Sequence, residues 1–207
     1  MIRIKECNPF FFQLYIISEI QREDRGIMKF YTRIPDEYES DYAKIKFVGT
    51  RAIRLLVKYD SIFAQFKNQI DQAFCLFGGN AVEVDNLHEV VGGLEIQVDN
   101  PIQVKEVFFT ILVSIQNLQR GFRGNDEYAV FKTVRHELRH FVQFCIVCQL
   151  TANLTDAWNV WRRISKKSIW YFDDRLELDA FMTQDNVGRS LQDLYDYILE
   201  EIEALDD

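Results

Sequence analysis

The sequence predicts an α+β protein, mostly helical, with a small antiparallel or mixed sheet packed against its central helix. Three observations point there. Apolar residues recur at about 3.6-residue spacing over five stretches, as in amphipathic helices. Two short runs, Ala81–Val84 and Leu94–Val98, alternate apolar and polar residues and have Gly92-Gly93 between them, as in a hairpin or small sheet. The chain has 207 residues, 48% of them hydrophobic and 17 of them Phe, so it holds enough apolar bulk for one large core.

In chain order, Met28–Ile34 alternates loosely and reads as an edge strand before Pro35. Arg51–Phe74 is helical in pattern, with Ile53, Leu56, Val57, Ile62, Phe63, Phe66 and Ile70 near a 3.6 period, and Gly78-Gly79-Asn80 reads as its stop. After the two alternating runs, Asp99-Asn100-Pro101 opens a predicted helix carrying Val104, Val107, Phe108, Ile111, Ile115 and Leu118 on one face. Gly121 and Gly124 close it. The longest helix is expected from about Asp126 to Leu150. A less regular stretch follows, with Trp158, Trp161, Ile164 and Trp170. Two last helices are expected at Asp173–Thr183 and Val187–Leu205. We read residues 1–207 as one domain: an N-terminal strand and helix portion (1–75), a central core (76–185) and an acidic C-terminal helix (186–207).

The net charge of −8 is localised. Asp193 to Asp207 hold seven acids and no base, so the rest of the chain is nearly neutral. Phosphate binding needs the opposite sign, so no nucleic-acid partner is expected. Arg162, Arg163, Lys166 and Lys167 read as a solvated turn. The apolar stretch Pro9–Ile20 is broken by Gln13, Ser18 and Glu19 and is too short to span a bilayer. With no small-residue cleavage site either, the expectation is a cytoplasmic chain with no signal peptide, no membrane contact and reduced thiols. Cys145-x-x-Cys148 lies inside the longest helix without a second pair. It therefore reads as small core residues rather than a zinc ribbon or redox motif.

His136-Glu137-Leu138-Arg139-His140 carries chemistry. Residues four apart on a helix lie one above the other, so both imidazoles project from one face and offer two nitrogens to a divalent metal. Glu137, beside the first histidine, is placed to act as general base and then acid on a metal-activated water. Two of the three histidines in the chain are in this motif. Two ordinary surface histidines around a Glu paired to Arg135 and Arg139 would be the bland alternative. Glu137-x-x-His140 is also half of a di-iron carboxylate signature, but the nearest second half, Asp85 to His88, has the wrong acid. A tetrahedral site needs a third protein ligand. No His follows His140, which leaves His88 or a downstream carboxylate.

Downstream stands Asp173-Asp174-Arg175-Leu176-Glu177-Leu178-Asp179-Ala180-Phe181. Together with His136–His140, it resembles the gluzincin metallopeptidases, in which H-E-x-x-H lies on one helix and a Glu in an E-x-x-A/S-D setting on the next completes a zinc site. The local spelling over about residues 130–182 is similar to small phage and bacterial proteins of that type. The resemblance implies Zn2+ held by His136, His140 and Glu177, with Glu137 catalytic. It implies a peptide or protein substrate added as a strand along the edge at Leu94–Val98. It also implies an active-site helix bearing the motif, with the third ligand on its neighbour. Phe181 stands where many gluzincins have an Asp that orients a ligand histidine, a role for which Asp173 or Asp179 is a substitute. Helix geometry suits Glu177: Asp173 and Asp174 lie near its face, while Asp179 is about 200° around the axis and is expected to face away. Ala180 leaves room for close approach, and Phe181 is expected to shield the ligand from water. Gln143 shares the histidine face. Tyr171 and Arg175 are candidate oxyanion donors. The functional expectation is a zinc metallopeptidase. The alternative is a catalytically silent metal-binding accessory protein of phage or mobile-element type.

Overall fold

The computed structural model describes residues 39–79, 92–105, 107–113, 127–165, 175–184 and 188–205. These are mostly helical. Helices α1 (Glu39–Tyr59), α2 (Ser61–Gln65) and α3 (Lys67–Ala73) are followed by strands β1 (Phe74–Gly79), β2 (Gly92–Val98) and β3 (Val107–Val113). Then come α4 (Glu127–Leu150), α5 (Leu154–Ile164), α6 (Arg175–Gln184) and α7 (Leu191–Glu203). Among the described residues, no helix is long and apolar enough to cross a membrane. The expected strands at Met28–Ile34 and Ala81–Val84 lie outside the described residues.

The stretch expected to form one helix from Arg51 to Phe74 is three helices, and the first starts earlier, at Glu39. Asp60 causes the first break. Its Oδ1 accepts from the backbone N–H of Ile62 at 2.9 Å and of Phe63 at 3.4 Å, capping α2 and ending the helical run before it. Gly78 and Gly79 belong to β1 and do not act as a helix stop.

The helix expected to open at Asp99 is not formed among the described residues; its expected part from Ile115 to Leu118 lies outside them. Residues 99–105 are a non-helical connection, held by Asp99 Oδ1 accepting from Lys105 N (2.9 Å) and Asn100 Oδ1 accepting from Ile102 N (2.9 Å). β3 follows. Val107 and Ile111 fit a helical period, but Val107, Phe109 and Ile111, all buried, also fit a strand period. Val107-Phe108-Phe109-Thr110-Ile111 is β-branched and aromatic throughout, which favours the strand. β3 pairs in parallel with β1 and antiparallel with β2, with Glu95 opposite Thr110 and Leu94 opposite Ile111. β2 is thus an edge within these three strands. Phe109 meets Phe141 and Phe144 edge-on at centroid distances of 4.8 and 5.4 Å, which locks β3 onto α4.

α4 runs through the centre, against α1, α5, α6, α7, β2 and β3. Every residue from Thr133 to Val147 is buried, so the helix has no solvent face over four turns. α5 is regular where a looser stretch was expected, because the Asn153 side chain caps it by accepting from Asp156 N (3.0 Å). Trp161 packs from it onto Phe144. α7 begins at the cap Ser190 and buries Leu194, Tyr197 and Ile198.

A candidate metal centre between two helices

Six side chains that hydrogen-bond strongly are buried within the nine residues from Arg135 to Gln143: Arg135, His136, Glu137, Arg139, His140 and Gln143. Such groups are rarely buried unless paired, so their partners decide what the helix is for. The two arginines pair away from Glu137. Arg135 donates to Asp60 Oδ2 at 2.7 Å. Arg139, with no exposure, makes a two-pronged pair with Asp179 at 2.6 and 3.0 Å and donates to Arg189 O at 2.8 Å. The bland reading of a surface Glu flanked by two salt bridges is therefore not what is seen.

His136 and His140 stack one turn apart with Nε2 atoms 3.1 Å from each other. From α6, Glu177 brings Oε2 to 3.3 Å from His136 Nε2 and Oε1 to 3.3 Å from His140 Nε2. The ligand atoms of all three lie within 4.8 Å of one another. Two donors about 2.0–2.1 Å from a tetrahedral ion sit about 3.3 Å apart, so this spacing fits one. The electrostatics agree. Burial would lower the His140 imidazole, but the hydrogen bond and charge of Glu177, helped by Glu137 and Gln143, push it up to about 9. Burial would raise the Glu177 carboxyl, but the bonds from His136 and His140 hold it well below the usual carboxylate range. Without an ion, a proton on His140 supplies positive charge beside Glu177. The group can hold a metal ion.

Glu137 is also buried. Burial raises its carboxyl above the ordinary value, the two histidines counter this, Glu177 adds to it, and a hydrogen bond from the Leu94 backbone lowers it. That last contact ties the edge strand β2 to the carboxylate. The Glu177 side chain keeps 32% exposure against 10–11% for the histidines, so the cluster is open on the Glu177 side.

Two expectations about α6 need correction. Asp179 does not face away: it is buried and takes bonds from Arg139, from Gln143 Nε2 (2.9 Å) and from Arg189 N (3.0 Å). At about 100° per residue, Leu176, Ala180 and Thr183 mark the middle of the buried stripe, with Glu177 on one flank and Asp179 on the other. The stripe is wide enough for α4 and the approach to α7 to reach both. Gly188 makes that approach close, since a Cβ there would overlap the Thr183 hydroxyl. Phe181 remains 37% exposed, so it does not seal the site. Ala180 is fully buried where the two helices meet.

Arg175, a candidate oxyanion donor, lies over the Tyr197 ring at 5.5 Å. Tyr171, Asp173, Asp174, Asp85 and His88 lie outside the described residues. Cys145 is buried and Cys148 partly so. Burial raises both thiols, that of Cys148 to about 12, which leaves them unreactive as core residues. Sequence reasoning missed the Arg139–Asp179 pair and the Leu94 contact. A charge inside a helix expected to be buried was the available signal for the first; no side-chain pattern signals the second. No family model matches the chain, and no curated protein or solved structure does.

Proposed function

We propose that the chain is a zinc-dependent metallopeptidase of gluzincin type, with His136, His140 and Glu177 as ligands and Glu137 as general base and acid. The observation that carries this is the meeting of two imidazole nitrogens from one helix with the two Glu177 oxygens from another, each nitrogen 3.3 Å from one oxygen, beside a buried carboxylate that belongs to neither arginine pair. A zinc ion held there would polarise the scissile carbonyl and acidify a water. Glu137 takes the proton of the attacking water and returns it to the leaving amine. The backbone of β2 lies beside Glu137, which supports an extended peptide docking along that edge as an added strand.

Protein purified without added metal is expected to carry about one zinc per chain, and His140→Ala should lose most of it, by elemental analysis. Glu137→Gln should keep the metal and the fold but lose turnover of peptide substrates by 100-fold or more, about the contribution of a general base. A metal-free wild type would remove the reading. Zinc binding with equal cleavage by Glu137→Gln and wild type would remove the mechanism. Zinc binding without cleavage of any peptide would favour the catalytically silent alternative.

A further inference from the structure

Gln143 lies one turn beyond His140 and is fully buried. Its side chain makes three bonds. Oε1 is 2.9 Å from His140 Nδ1, and Nε2 is 3.0 Å from Leu176 O and 2.9 Å from Asp179 Oδ2. The orientation of this amide follows from its partners. A backbone carbonyl only accepts, and so does an ionised Asp179 paired with Arg139, so the NH2 group must face them. The amide oxygen is left for the imidazole, and an oxygen without hydrogen can only accept. His140 therefore carries its proton on Nδ1.

We infer that Gln143 is a positioning residue for the metal centre: it holds a His140 proton on Nδ1, so that Nε2 is the nitrogen that faces the cluster and would give its lone pair to an ion there, and it ties α6 to α4 at the residue before Glu177. One amide thus acts on two proposed ligands from different helices. Asp179 and Arg139 set the amide in turn. This arrangement fills the place left by Phe181, where an Asp would otherwise orient a histidine from α6. The orienting group here comes from the motif helix itself, and α6 contributes the two acceptors that align it, Leu176 O and the Asp179 carboxylate. The inference rests on the metal reading proposed above.

The test compares zinc affinity, by competition with a chromophoric chelator, in wild type, Gln143→Met, Gln143→Glu and the exposed control Gln149→Met. Removing the partner of a ligand histidine typically weakens metal binding about 10- to 100-fold, and that loss is expected for Gln143→Met. Gln143→Glu keeps an oxygen for Nδ1–H but loses both donors, so it should fall between. Gln149→Met should match wild type. A second readout is specific to the tautomer: the zinc-loaded wild type should show an exchange-protected ring N–H proton of His140 by NMR. Gln143→Glu should retain that signal and Gln143→Met should lose it. Should Gln143→Met not fold, Gln143→Glu carries the test through its intermediate affinity and retained signal. Wild-type affinity together with an unchanged ring N–H signal in Gln143→Met would overturn the inference and leave the metal reading standing. A wild type without zinc affinity would overturn both.

Discussion

Glu137 illustrates how one residue trades stability for chemistry. Its carboxyl is raised, chiefly by burial, so the folded chain binds a proton there more tightly than the unfolded chain does. Between the ordinary carboxylate value and the raised one, the folded state holds more protons, and stability must fall as pH rises through that window. Above the window the charged form is a net cost to the fold. Glu137→Gln removes the charge and keeps the shape. In chelator-treated protein, the variant is therefore expected to melt above wild type at neutral pH, with the gap closing as pH falls below the ordinary carboxylate range. Melting curves at several pH values check this, and a variant less stable than wild type at neutral pH would contradict it. Neighbouring residues show what a sequence can reveal at this level. The pairing of His136 with His140 was legible because helical spacing alone puts them together. The fate of Asp179 was not. An angle about a helix axis says which residues oppose each other, but not how wide an arc the neighbours cover.

The buried ion pairs tie the helices together, and their burial ranks them. Arg139 and Asp179 have no side-chain exposure, whereas Arg135 and Asp60 keep 11% and 16%. Asp179→Ala would leave a guanidinium buried and unpaired and strip acceptors from Gln143 and Arg189. A loss of roughly 3–5 kcal/mol is expected. Asp60→Ala removes the cap of α2 and a pair that water can partly replace, for a loss of about 1–2 kcal/mol. Urea denaturation should give that order, and equal losses would speak against it. Helix existence was largely legible from apolar periodicity, as α4, α6 and α7 show. Boundaries were set by caps such as Asp60, Asn153 and Ser190, which act through one side-chain bond each. β3 was misread as helix because its buried positions at Val107 and Ile111 satisfy both periods. Tertiary pairing with β1 and β2 decided the outcome, and no local window contains that information.

Across the described molecule, the candidate site joins segments that lie far apart along the chain. Thirty-six residues separate His140 from Glu177. An ion bound by both would cross-link α4 to α6, and its binding free energy would add to folding. With free zinc near a thousand times its dissociation constant, the gain is about 4 kcal/mol. For a chain of this size, each kcal/mol moves Tm by about 2–4 °C. Chelation is thus expected to lower Tm by roughly 10 °C, reversibly on zinc addition, by calorimetry. An unchanged Tm would mean that the donors close without an ion. The aromatic contacts of β3 and α5 with α4, through Phe109, Phe141, Phe144 and Trp161, use none of the donors and should survive chelation.

The two flanks of α6 have a mechanical consequence. A short helix can roll about its own axis, and its carboxylates stand about 5–6 Å from that axis. A roll of only 10° therefore moves Glu177 by about 1 Å, enough to spoil a coordination geometry that tolerates about half that. Asp179 sits on the opposite flank, gripped by Arg139 from one side and by the Arg189 backbone from another. Any roll that carries Glu177 off the histidines must also stretch those bonds. The ion pair is a rotational stop: it sets the angle of a lever whose far end is Glu177, and it does so without touching the donors themselves.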